Sequence, residues 1–199
     1  MTHSLYRKGT IEDLKNDYVI ISMLARGFND KSLEVKKNHL RLGEILKQHN
    51  PTNLLMEGAW KVSTVIQGCF SDIKDVKEIL QTVKEEDLGV SVVVSGLISE
   101  VKNVCDEVGL KMHTVNLALG EFGKKELLPS EKTLEITTMC GHHCVSSQSI
   151  EHYVDQIKKG KISLEKAAEK LTSPCICGIF NTKRAIEVLN ELINSRIIN

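Results

Sequence analysis

Gly89-Val90-Ser91-Val92-Val93-Val94-Ser95-Gly96 is the stretch on which the reading of the fold turns. Its β-branched run carries almost no polar alternation, the signature of a strand covered on both faces, and such strands belong mostly to parallel sheets flanked by helices. Downstream, Leu97, Val101, Val104, Cys105 and Val108 recur at helical spacing until Gly109 closes the stripe. Upstream the same unit stands once more. Residues 64–70 read as a strand, Ser71-Asp72 as a helix cap, and Ile73, Val76, Ile79, Leu80 and Val83 as one helical face.

Working outward, residues 18–24 read as a strand, Arg26-Gly27 as a break and residues 31–48 as a helix that Asn50-Pro51 ends. Residues 112–119 read as a fourth strand. Residues 52–61, with the single tryptophan Trp60, fit neither period and read as loop or a short strand. Four alternations predict an α/β fold with an open, mostly parallel sheet, and a ferredoxin-like α+β sheet is the alternative.

The texture changes after Pro129, dividing the chain into an α/β domain over 1–128 and a helical, cysteine-rich subdomain over 129–199. Residues 134–139 read as one more strand, delivering the chain to Cys140. Helices follow: one capped within Ser146–Ser149 and stopped at Gly160, one from Ser163 to the break at Pro174, and a last one capped by Asn181.

Charge and length bound the function classes. Lys plus Arg and Asp plus Glu are 26 each, so no net field draws the 199-residue chain to nucleic acid or to an anionic membrane. No apolar run reaches the roughly 20 residues of a membrane helix, and Met1 to Gly9 lack the apolar core of a signal peptide. The expectation is a cytoplasmic protein. Its thiols are then held reduced, and close cysteine pairs point to metal binding or catalysis rather than disulfides.

Four of the six cysteines form two such pairs, Cys140-Gly-His-His-Cys144 and Pro174-Cys175-Ile-Cys177-Gly178. A soft metal needs several thiolates aimed at one point, and two turns joined by a helical hairpin supply four. The Cys140/Cys144 spacing suits a structural zinc site, whereas Cys175/Cys177 is too close for the usual knuckle. An iron-sulfur cluster tolerates irregular spacing, because each thiolate binds a different iron; a 4Fe-4S cluster therefore ranks first and zinc second. His142 and His143 are alternative ligands in place of Cys144. With only Cys140, Cys175 and Cys177 bound, one iron would stay open to substrate, whereas four thiolates would make a closed site with the histidines outside it.

Other residues carry weaker chemistry. Arg26, Ser95 and Gly96 lie at the ends of the proposed strands, where α/β proteins bind ligands, and His113, mid-strand with the ligand candidate Asn116, is the candidate acid or base. A packing histidine and ordinary loop residues are the commoner reading. Arg7 and His3 would cover a ligand if the N-terminal segment folds over it. The Gly120–Lys125 loop offers glycine amides and lysine charge to an anion but matches no phosphate-loop pattern, and Cys69 and Cys105 read as small buried hydrophobes.

Met139-Cys-Gly-His142 followed by Pro174-Cys-Ile-Cys-Gly-Ile-Phe-Asn181 resembles a functionally uncharacterised family of anaerobic bacteria and archaea marked by a C-terminal CGH…PCxCG pattern. The resemblance covers chiefly the last sixty residues and names no activity. It implies an oxygen-poor cytoplasm, where an exposed cluster survives. Three function classes follow: an iron-sulfur protein of anaerobic metabolism with a small-molecule ligand or redox partner beside the cluster, a zinc-stapled non-catalytic module, and a thiol redox protein. The absence of Cys-x-x-Cys after a strand counts against the third. Whether the chain is an enzyme, and its oligomeric state, stay open at the level of sequence.

Overall fold

Tyr18–Met23 forms strand β1, and its first five residues are all buried. The reason lies on either side of it. The computed structural model describes residues 6–195 and places a four-stranded sheet between two layers of helices. After the short helix α1 (Ile11–Leu14) and β1 come α2 (Leu33–Gln48), β2 (Asn53–Leu54), β3 (Val65–Phe70), α3 (Ile73–Glu85), β4 (Val93–Ser95) and α4 (Ile98–Val108). Helices α5 (Glu131–Thr137), α6 (Ser147–Lys158), α7 (Leu164–Thr172) and α8 (Thr182–Ser195) complete the described chain.

The strand order is β2-β3-β1-β4 and every neighbouring pair is antiparallel, which overturns the open, mostly parallel sheet expected from the alternation. Each helical crossover does join strands of the same direction, but a third strand stands between β1 and β2, and β1 stands between β3 and β4. The element order is thus two interleaved β-α-β units. Period-two and continuous apolar patterns report burial and say nothing of the direction of a neighbour. Here an antiparallel sheet is covered on both faces, so β1 carries the signature that parallel strands usually carry.

Register fixes which side chain goes where. Val19 opposite Cys69 and Ile21 opposite Gln67 share one face; Tyr18 opposite Phe70 and Ser22 opposite Ile66 share the other. The first face packs on α5–α8 through Ile136, Phe180, Ala185 and Leu189, and the second on α2–α4 through Leu42, Leu46, Val76, Ile79 and Val104. Burying one such side chain is worth about 1.5–3 kcal/mol, and β1 and β3, side by side at the centre of the sheet, each feed both cores.

Three further expectations are corrected. Residues 134–139 are not a strand: the Ser130 hydroxyl accepts from Thr133 N–H, and the capped segment winds into α5. Residues 112–119 form no strand and, among the described residues, pair with nothing in the sheet. The Val90–Ser95 run is not buried on both faces; only three of its residues pair, as the edge strand β4, and Val93 is 39 % exposed. Elsewhere the caps stand where the sequence puts them, at Asp72, Ser146 and Ser163, with Gly109 left-handed at the end of α4.

Candidate functional site

The loops after α5 and α7 bring both cysteine pairs to the face of the sheet that α5–α8 cover. Cys140, Cys175 and Cys177 are buried in that core, while Cys144 is exposed. Cys175 Sγ stands 3.4 Å from Cys177 Sγ. Cys140 stands near enough to Cys175, and Cys144 near enough to Cys140, for each thiol to shift its neighbour's proton affinity. Among the described residues no group of three or more Cys, His, Asp or Glu side chains is disposed, as it stands, to hold a single metal ion.

Backbone geometry seats the second pair. Gly178 has φ 76°, and a Cβ there would stand 2.6 Å from the Leu54 carbonyl oxygen and closer still to the Leu54–Leu55 peptide. Only glycine lets the turn rest on the backbone of β2. Gln67, projecting from β3 on the same face, donates to the Cys177 carbonyl at 2.8 Å. The turn therefore has two anchors on the sheet, and Ile176, 68 % exposed, is left at its apex.

A buried cation holds the two turns together. Arg7 donates to the carbonyls of Met139, just before Cys140, and of Ile179, just after Gly178. Its charge is balanced by Asp17, whose side chain is fully buried and also takes Arg184 at 2.7 Å and the Asn181 amide at 3.1 Å. Burial alone would push the Asp17 carboxyl up; the two guanidiniums overcome it and hold it below its usual range. Lone buried charges cost several kcal/mol, so each member of this trio depends on the others.

Neighbours and burial move the thiols in different directions. The Cys140 thiol is pushed up, first by its hydrogen bond to Cys175 and then by burial. Cys177 is pulled down by the hydrogen bond from Cys175, with the Ile179 amide donating as well. Backbone amides of His142 and Cys144 likewise favour the Cys140 thiolate, and Arg7 lies close enough to Cys175 for its charge to be felt there. Amide donors and a cation around sulfur are what a thiolate site needs.

The remaining sequence candidates separate into places. His142 and His143 are exposed on the Cys140–Cys144 turn, His143 with a left-handed φ of 54°. Arg26 is exposed in the turn after β1. Ser95, Gly96, His113 and Asn116 come together, lining a groove of about 690 Å³ walled by Leu80, Val83, Val101 and Cys105. None of the four pair cysteines is in its lining, so the expected site between cysteine turns and strand ends divides into two. His113 is exposed and, among the described residues, hydrogen-bonded to its neighbour Thr114 at 2.8 Å, not set in a strand facing the sulfurs. His3 lies outside the described residues.

Arg7 is the site residue whose role composition and spacing could not reveal, since nothing in a polar N-terminal segment shows that it reaches residues 132 and 172 positions away. Among the described residues no helix is long and apolar enough to cross a membrane. Comparison with family models, with curated proteins and with solved structures gives no match to this chain.

Proposed function

We propose that Cys140, Cys144, Cys175 and Cys177 hold an iron-sulfur cluster, of the 4Fe-4S type, in a cytoplasmic protein of anaerobic metabolism. The observation that carries the reading is the meeting of two distant turns in one core, with Cys140, Cys175 and Cys177 buried there, backbone amides near the thiols and the Arg7 guanidinium bonded to both turns. Such a cluster, when bound, supplies one-electron transfer, or Lewis acidity if one iron lacks a protein ligand. The residues supply the rest: three buried sulfurs exclude water, the amides offset thiolate charge, and Cys144 with the two histidines forms the side open to a ligand or redox partner.

One observation favours zinc as a second reading. Two thiolates on a tetrahedral ion with Zn–S of about 2.3 Å lie about 3.8 Å apart, close to the 3.4 Å between Cys175 and Cys177. Thiolates bound to different irons of a cubane point away from one another and lie farther apart than this, so cluster loading requires the Cys-Ile-Cys turn to open. Anaerobic purification with iron, sulfide and zinc analysis and visible spectroscopy decides. Brown protein with near-equal iron and sulfide supports the cluster; colourless protein with one zinc supports the staple; metal-free protein with titratable thiols sinks both in favour of thiol redox chemistry.

A further inference from the structure

The core beneath α2–α4 is not closed on the side away from the cysteine turns. Val83, Val90, Val92, Val94, Leu110 and Met112 all pack against that core, and all line the groove of about 690 Å³, so its floor is continuous with the apolar interior. Sites for small organic molecules span roughly 300–1,000 Å³. Ile98, Val101 and Cys105, spaced three and four residues apart, lay one face of α4 along the wall for about 16 Å, the length of that helix. Open apolar surface of this extent marks a binding site rather than a solvated face.

Charge is gathered at one end of the groove. Lys84 donates to the Val108 carbonyl at 2.7 Å, which keeps its ammonium at the C-terminal end of α4 with donors to spare. Lys111 follows three residues beyond Val108 and makes no ion pair among the described residues. Asp87 is the one carboxylate in the lining, so with His113 neutral the two ammonium groups leave a net charge of +1, and the end at Ile98 carries no charge. An apolar trough with one uncompensated cation at its end is complementary to a monoanionic head on an alkyl tail. We propose that the groove binds a free single-chain carboxylate, with its head beside Lys84 and Lys111 and its alkyl chain laid along α4 toward Ile98. A bilayer surface is the poorer partner, because its recognition uses roughly four to eight clustered basic residues.

Dodecanoate below its micelle concentration, titrated into the whole protein carrying methyl-labelled methionine, tests this. Met112 lines the groove, whereas Met23, Met56 and Met139 do not, so among these its methyl resonance should shift alone. Decanoate should bind about 15-fold more weakly, since each buried methylene is worth about fourfold. Dodecanol, of equal chain, should bind about 10-fold more weakly than the acid. Lys84→Gln with Lys111→Gln should bring dodecanoate to the level of the alcohol and leave the alcohol unchanged. Glutamine keeps a donor for the Val108 carbonyl, so circular dichroism should not change. Absence of a Met112 shift at about 1 mM dodecanoate overturns the proposal, as does equal affinity for acid and alcohol, or a shift of all methionines alike. A Met112 resonance that moves with protein concentration alone would give the groove to a second copy, and cosedimentation with phosphatidylglycerol vesicles would give it to a membrane; either result also overturns the proposal. Should the lysine variant misfold, the acid, alcohol and chain-length series on the unaltered protein still decides.

Discussion

Gly178 rests on the backbone of Leu54, with no room between them for a methyl group. That contact fixes where Cys175 and Cys177 point. Gly178→Ala combines this clash with a left-handed φ of 76°, and the φ alone costs about 1–2 kcal/mol. Metal content should fall sharply while the helical circular dichroism stays, with a lower Tm. Full metal occupancy in this variant would show that the turn is not seated by β2.

Burial separates the four cysteines. Cys175→Ser, Cys177→Ser and Cys140→Ser should each lose the bound metal, whereas Cys144→Ser, altering the exposed ligand, should keep it with a changed spectrum. Metal and sulfide analysis of the four proteins checks this. Loss in Cys144→Ser alone would reverse the assignment of the open side.

Asp17 joins Arg7 and Arg184 beneath the site, and Asp17→Asn leaves two guanidiniums without their counter-charge. Breaking a buried pair in this way costs about 3–5 kcal/mol, read as a drop in denaturant midpoint. The pH dependence has a definite sign. Because the folded carboxyl titrates below its ordinary 3.8, its contribution is complete above that value and is lost as pH falls through the lower folded value. Acid unfolding of Asp17→Asn should show a shallower slope in that window.

His39 acts at milder pH. It is buried on α2, its Nε2–H donates to the Ser22 carbonyl at 3.2 Å, and burial holds its pKa below the ordinary 6.5. The neutral ring is the folded form, so stability is full above 6.5 and declines as pH falls through the depressed value. Urea midpoints measured from pH 7 to 5 should fall for the natural protein and less for His39→Gln.

In metal-free protein the α2–α4 face has its own apolar core and keeps its amide protection, while residues 138–146 and 173–181 exchange first. Equal protection in both regions would mean that the turns hold without metal.

Much of this architecture was legible in the residues because periodicity is a record of burial. Strands β1 and β3 and helices α2 to α4 and α6 to α8 stand close to where the apolar spacing puts them. Strand direction was not legible, since Val19 or Cys69 would be equally apolar beside a parallel or an antiparallel neighbour. Residues 134–137 carry β-branched Ile136 and Thr137 yet turn helical, because Ser130 caps the segment and Leu134 and Ile136 find a core there. The meeting of the cysteine turns followed from the hairpin of α6 and α7. Its separation from His113 and Asn116 depended on strand order, which puts β2, under Gly178, at one end of the sheet and β4, beside residues 112–118, at the other.

Arg7 carries a consequence for how the molecule is made. Its partner carbonyl on Ile179 lies 172 positions along the chain. At the usual pace of synthesis that distance takes roughly ten to thirty seconds. Through that interval the guanidinium has emerged and its partner has not been made, so the sulfur pocket is closed only after release of nearly the whole polypeptide. Contacts of such long range form late and slow a folding reaction. On the proposed metal-binding reading, delivery of the metal would follow synthesis of nearly the whole chain, once Arg7 can fasten both turns.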